Sequence, residues 1–160
     1  MVQYKEPLSL YEVIQRVVDL MKAEAENKKI DLQWIGSAET PLIHADRNSM
    51  EEIFTNLISN AIKYTPEKGK VRIALGEERG FVKASVSDTG IGIEEENLPR
   101  IFDKFYRVKT KETRQIVGTG LGLSIVKSIV AAHLGSISVE SNVGTGTTFI
   151  VLLPKESGPD

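Results

Sequence analysis

The segment from Met50 to Thr65 constrains the fold more than any other. Met50, Ile53, Phe54, Leu57, Ile58 and Ala61 recur at i, i+3, i+4, i+7, i+8 and i+11, the apolar stripe of an amphipathic helix. Asn56, Asn60 and Lys63 form a second stripe beside it, at i, i+4 and i+7. Asparagine is a weak helix former because its amide competes with the backbone for hydrogen bonds, so two in mid-helix cost about 1 kcal/mol relative to alanine. Either a polar ligand or metal outside the helix offsets that cost, or the amides bond to a neighbouring loop.

The rest of the chain reads as mixed α/β. Ser9-Leu10-Tyr11-Glu12 is a capping box, with Leu8 and Val13 placed as a hydrophobic staple. It opens a helix whose Leu10, Val13, Ile14, Val17, Val18 and Met21 face a core and which ends near Asn27. Ile30 to Ile35 and Leu42 to Ala45 are candidate strands, and Asp46 is the expected N-cap of the asparagine-bearing helix. Val71 to Leu75 and Phe81 to Asp88 form a hairpin around Glu77 to Gly80, and Ser136 to Glu140 with Thr147 to Leu153 form a second. Leu121 to Ala132 is a third helix. Burying each apolar face once gives an α/β sandwich: a mixed, largely antiparallel sheet with three main helices on one face.

At 160 residues the chain fits one globular domain, expected over residues 1–154 with a flexible tail at 155–160 and its loosest internal stretch at 103–117. A formal charge of −2 offers no basic field for nucleic acid, and no apolar run is long enough to span a bilayer. The absence of cysteine excludes disulfides, thiolate metal sites and a thiol nucleophile, and accords with a cytoplasmic setting. No signal-peptide pattern opens the sequence.

Two glycine clusters follow the asparagine helix. Asp88-Thr89-Gly90-Ile91-Gly92-Ile93 comes after a strand, and Gly118-Thr119-Gly120-Leu121-Gly122-Leu123 opens a helix, where exposed backbone N–H groups favour phosphate oxygens. Neither is a Walker A loop or a Rossmann fingerprint. Val82, Ala84, Val86 and Asp88 share one strand face, so Asp88 points toward the core and needs a partner. Turn chemistry with Gly90 would also explain an aspartate there.

Together with Phe102-Asp103-Lys104-Phe105-Tyr106-Arg107, these segments resemble, in order, the N, G1, F and G2 boxes of the sensor histidine kinase catalytic domain. That domain belongs to the ATPase superfamily shared with gyrase and MutL and has the Bergerat-type fold. Gly144-Thr145-Gly146-Thr147-Thr148-Phe149 resembles its last glycine box, so the likeness covers almost the whole chain.

The resemblance implies ATP and Mg²⁺ as ligands. Asp88 would accept from the adenine 6-amino group, with Gly90, Gly92, Ile93 and Thr147 around the base. Asn60 would hold Mg²⁺ through its amide oxygen, with Asn56 in the outer shell. Lys63 would donate to phosphate and Tyr64 pack on the nucleotide, although either also fits a surface cation or a core-rim residue. Gly118, Thr119, Gly120, Leu121, Gly122 and Leu123 would cradle phosphates, and residues 103–117 would form a lid whose Arg107 is the candidate for the γ-phosphate. Lys104, Lys109, Lys111 and Arg114 are further lid cations, equally consistent with a solvated loop. Phe102 and Phe105 would anchor the lid by packing.

Hydrolysing relatives carry a glutamate where this chain has Asn56, which cannot take a proton at neutral pH. Transfer of the γ-phosphoryl to a better nucleophile is therefore favoured over water attack. Neither His44 nor His133 has the context of the family's phosphoacceptor, which sits on a separate helical hairpin. His133 fits the C-terminal end of the third helix, and Leu134 stands where the family usually has glycine. The implied activity is a protein-histidine kinase whose acceptor and dimerisation helices lie outside this chain. A response regulator is the indirect partner, kinases of this family are commonly anchored in a membrane by other segments, and the isolated domain is expected to be a monomer without direct membrane contact. The alternatives are a nucleotide-sensing module of the same fold, or a superfamily ATPase or serine kinase.

Overall fold

The computed structural model describes residues 4–106 and 122–156. In chain order the elements are β1 (Glu6–Leu8), α1 (Leu10–Asn27), β2 (Asp31–Ile35), β3 (Ile43–Ala45), α2 (Arg47–Tyr64), β4 (Lys70–Glu78), β5 (Phe81–Asp88), a 3₁₀ turn (Glu95–Arg100), α3 (Gly122–Ala132), β6 (Ser136–Asn142) and β7 (Gly146–Pro154). Five strands make one sheet in the order β2-β4-β5-β7-β6. The β2–β4 pair is parallel and the others antiparallel, so the sheet is mixed as expected. All three helices pack on one face.

The alternation along the strands explains which face. Ile73, Val86 and Phe149 align across β4, β5 and β7, as do Leu75, Ala84 and Val151, and all six are buried. The α1 stripe of Leu10, Val13, Ile14, Val17 and Val18 and the α2 stripe from Met50 to Ala61 close over them. Phe54, at 0% exposure, is among the largest fully buried side chains of that layer. At the sheet edge, Trp34 of β2 stacks on Tyr11 at 5.7 Å and donates its indole N–H to Gln15 Oε1 at 2.9 Å. These contacts hold the parallel edge strand onto α1.

Both helix starts are where the sequence put them. Ser9 caps α1 by accepting from the Glu12 N–H at 3.3 Å, and the staple pair Leu8 and Val13 are both buried. Asp46 stands at the N-cap of α2, but its carboxylate takes the Ser49 hydroxyl at 2.8 Å instead of a backbone N–H. The first hairpin turns tightly. Glu78 pairs with Phe81, and Arg79 and Gly80 both have positive φ, 46° and 85°, as a two-residue type I′ turn requires.

Two features lie beyond the sequence reading. The three-residue β1 pairs antiparallel with β3 in a small separate ribbon, and Lys155 bridges Ile43 to join that ribbon to the end of β7. Lys155 and Glu156 donate backbone N–H groups to Gly80 O and Leu42 O, so hydrogen bonding to the domain extends two residues past Pro154 into the segment expected to be tail. Among the described residues no helix is long and apolar enough to cross a membrane.

Candidate functional site

Asp88 ends β5 on the core-facing row, following the buried Val82, Ala84 and Val86. Its Oδ1 accepts two backbone N–H groups, from Gly90 at 2.8 Å and from Thr147 at 3.2 Å. Both sequence readings of this aspartate are therefore compatible, because the turn uses one oxygen. Oδ2 takes no hydrogen bond from the described residues. Burial raises the Asp88 pKa, and the two N–H groups act against that rise.

The loop after Asp88 runs against the end of α2. A Cβ on Gly90 would drive into the Tyr64 carbonyl, and the next residue, Ile91, donates its N–H to that carbonyl at 3.3 Å. Gly92 has φ 76°, and a Cβ there would meet the Asn142 carbonyl, so glycine is required on two counts. Gly144 N–H donates to Ile91 O at 2.9 Å, stitching this loop to the β6–β7 turn. Ile93 is half-buried, and its N–H donates to Ser141 Oγ at 2.7 Å.

Ser141 was not singled out from the sequence. Its hydroxyl also contacts Gly146 O at 3.1 Å and the Thr147 hydroxyl at 2.8 Å. It therefore joins the loop holding Ile93 to the strand that donates to Asp88. The available signal was its register position directly opposite Thr147.

The α2 side of the site carries the polar stripe. Asn56 and Asn60 are half-buried, and among the described residues neither amide has a hydrogen-bond partner. The neighbouring-loop explanation for the two asparagines is not realised among those residues. Asn56 Oδ1 points to the start of α3, 3.5 Å from where a Cβ on Gly122 would stand. Lys63 is exposed at the last turn, and Tyr64 is half-buried. Gly122 and Leu123 open α3 and are half-buried, so α2 and α3 converge beside Asn56. Arg107, Lys109, Lys111, Arg114, Gly118, Thr119, Gly120 and Leu121 lie outside the described residues.

At the root of the expected lid, Phe102 meets Phe149 edge-to-face at 6.2 Å and lies under the Lys127 ammonium at 5.4 Å. Tyr106 bonds Asn97 through its hydroxyl and stacks under Arg100. Phe105, by contrast, is 71% exposed and does not anchor by burial.

The histidines are elsewhere. His133 is buried just past α3, where Nδ1–H donates to Ile129 O at 2.8 Å and Nε2 accepts the Asp46 N–H at 3.2 Å. That pairing defines a neutral imidazole, and burial lowers its pKa accordingly. His44 faces Glu156 at 3.6 Å from the exposed side of β3.

One aspartate lies between two interlocked glycine loops, beside a helix whose two amides have no hydrogen-bond partner among the described residues, in a fold of the Bergerat-like ATP-binding class. Residues 45–157 match the family described as histidine kinase-, DNA gyrase B-, and HSP90-like ATPase, and the chain belongs to that family. Within it the chain is of the histidine kinase type, an ATPase domain of two-component sensor kinases. It is 37% identical over 151 residues to the sensor histidine kinase CusS of Escherichia coli O157:H7, covering 94% of this chain and 31% of that protein. The chain thus spans about a third of the length of that relative. Among solved structures, the catalytic domain of histidine kinase ThkA superposes with a TM-score of 0.83 at 33% identity, covering 96% of this chain and 97% of that one. Full-length ShkA in complex with AMPPNP gives 0.84 at 32% identity, covering 99% and 33%. ThkA in complex with the response regulator protein TrrA gives 0.79 at 31% identity, covering 95% and 42%.

Proposed function

We propose that this domain binds Mg-ATP between α2, the Asp88 loop and the start of α3, and passes the γ-phosphoryl group to a histidine on a separate helical hairpin of the parent kinase. The observation that carries this reading is that the Asn56 and Asn60 amides and Asp88 Oδ2 take no hydrogen bond from the described residues, while the end of α2 bonds directly to the Asp88–Gly92 loop through Tyr64 O and Ile91 N–H. The two mid-helix asparagines carry a propensity cost that contact with a ligand would offset. Likeness to a kinase solved with AMPPNP supports the nucleotide reading.

Each residue then has a task. Asp88 Oδ2 accepts from the adenine 6-amino group, a donor that guanine replaces with an acceptor, while Gly90, Gly92, Ile93, Thr147 and Tyr64 shape the base pocket. Asn60 offers a neutral amide oxygen, which suits a magnesium ion that keeps most of its waters and leans on substrate phosphates. When bound, that ion neutralises phosphate charge. Asn56 orients the outer shell and supplies no general base, so water is poorly activated. Lys63 and Arg107 meet the phosphates, and Gly118 to Leu123 present backbone N–H groups near the α3 N-terminus.

Transfer needs little covalent help from this chain. The acceptor imidazole nitrogen bonds to the γ-phosphorus, the bond from that phosphorus to the β,γ-bridging oxygen breaks, ADP leaves, and the imidazole proton goes to solvent. Catalysis is positioning and charge stabilisation. A response regulator then takes the phosphoryl group from the hairpin, a role suggested by the ThkA–TrrA complex. We place the domain in the cytoplasm, where ATP is available, as a monomeric unit of a parent that dimerises and reaches the membrane through other segments.

The test is to incubate the chain with the parent's acceptor hairpin and γ-labelled Mg-ATP. Histidine transfer gives an acid-labile, base-stable label on the hairpin. Nucleotide binding without label would instead indicate a sensing module, and an acid-stable label would indicate a serine kinase.

A further inference from the structure

Every α-helix leaves its last four carbonyls without helical partners. In α2 all four are satisfied. Thr65 Oγ1 donates to Ala61 O at 2.7 Å, and Ile91 N–H donates to Tyr64 O at 3.3 Å. The two between them belong to one side chain: Lys28 Nζ donates to Ile62 O at 2.8 Å and to Lys63 O at 2.7 Å. Lys28 is the C-cap residue of α1, so its ammonium also meets the negative end of the α2 dipole.

The surrounding turns reinforce this joint. Lys68 N–H donates to Lys29 O at 3.0 Å, and Asp31 N–H donates to Gly69 O at 2.9 Å. Lys29 also pairs with Glu67 at 3.2 Å on the surface. Lys29 and Lys68 both hold left-handed backbone, at φ 58° and 74°, which lysine adopts only under constraint. Burial lowers the Lys28 pKa, with Glu24 acting against it, so this is no freely solvated cation.

We propose that Lys28 is a positioning residue of the nucleotide site, clamping the last turn of α2 so that Asn60, Lys63 and the Tyr64 carbonyl keep their spacing from the Asp88–Gly90 loop. The inference rests on the Mg-ATP reading above. Lys28 touches no nucleotide. It acts through the helix end: Asn60 lies two and three residues before the clamped carbonyls, within the same turn, and the next carbonyl, that of Tyr64, bonds directly to the glycine loop at Ile91. A frayed last turn would misplace the metal amide, the phosphate lysine and the wall of the base pocket together.

The experiment is calorimetric titration of the 160-residue chain with Mg-ATP as wild type, Lys28→Met and Lys28→Arg, with thermal melts establishing that each is folded at the titration temperature. Methionine keeps the apolar stem and removes charge and donor; arginine restores both. Lys28→Met should weaken binding about tenfold, and Lys28→Arg should return it to within about threefold of wild type. A folded Lys28→Met that binds like wild type overturns the proposal, as does an equal loss in Lys28→Arg. Should Lys28→Met not fold, Lys28→Gln removes the charge and shortens the reach toward the two carbonyls, and an unchanged affinity there would overturn the proposal equally. A wild-type chain that does not bind Mg-ATP would instead bring down the nucleotide reading and this inference with it.

Discussion

Asp88 and Thr147 stand opposite each other across the β5–β7 ladder, and the Thr147 N–H reaches past the backbone to donate to Asp88 Oδ1 at 3.2 Å. With Gly90 bonded to the same atom, one carboxylate oxygen is committed to the fold, and the other takes no hydrogen bond from the described residues. The site is therefore polarised by its own scaffold. On the proposed reading, a single residue both closes the turn and offers the acceptor.

That arrangement gives ATP affinity an acid limb. Burial holds the Asp88 pKa above the ordinary value of about 3.9, so the carboxylate protonates earlier than a solvated aspartate on acidification. Mg-ATP affinity should fall as pH drops through that raised value, and Asp88→Asn should flatten the limb. For stability the sign is opposite: between the unfolded and the raised folded pKa the native state holds more protons, so this group's contribution declines as pH rises. Titrations at stepped pH on both proteins decide it, and an identical limb in Asp88→Asn would contradict the assignment.

Gly90 has no room for a methyl group. A Cβ there meets the Tyr64 carbonyl, which the Ile91 N–H bond holds in place, and would also stand 2.9 Å from Asp88 Oδ1. Gly90→Ala should cost about 2 kcal/mol or more in urea unfolding, because backbone must move. Gly76→Ala, with nothing within 4 Å, should stay within about 0.5 kcal/mol. Equal effects at the two sites would refute the packing argument.

Leu134 occupies a glycine position. Gly135 N–H donates to Val130 O and Leu134 N–H to Ala131 O, both at 3.0 Å, a Schellman end to α3 that puts Leu134 at φ 60°. Its side chain is 80% exposed, so removing it forfeits little burial. Leu134→Gly should stabilise by about 0.5–1 kcal/mol and raise the melting temperature by about 1–4 °C. A lower melting temperature would show that the leucine side chain matters where no packing is visible.

His133 makes stability fall in acid. Its folded pKa is lowered by burial, with the Ile129 carbonyl and Asp46 opposing that shift and Lys5 and His44 adding to it. Between that value and about 6.5 the unfolded chain holds the extra proton, so stability rises with pH and is lost as pH falls below about 6.5. Protonation also removes the acceptor for the Asp46 N–H, which ties the end of α3 to the start of α2. Urea melts at pH 7.5 and 5.5 should show a larger drop for wild type than for His133→Gln; equal drops would assign the acid sensitivity elsewhere.

Local pattern carried much of this architecture. The α1 and α2 stripes, the Ser9 cap and the two hairpins depend on neighbours a few residues apart, and each formed within a residue or two of its expected ends, apart from the longer β4. What sequence spacing could not show is set by distant partners. The β1–β3 ribbon pairs Pro7 with His44, the parallel β2–β4 pair joins Trp34 to Ile73, and Lys28 reaches carbonyls 34 and 35 residues away. The polar stripe of α2 was visible because two asparagines contradict helix propensity. Ser141 was not, because one serine in an alternating strand contradicts nothing.

The most direct measurement is calorimetric titration of the chain with Mg-ATP and Mg-GTP, repeated with Asp88→Asn. The account predicts a preference for ATP that falls about tenfold or more in the mutant, as loss of a charge-assisted hydrogen bond requires. No binding by wild type, or equal binding of both nucleotides unchanged by the substitution, would contradict it.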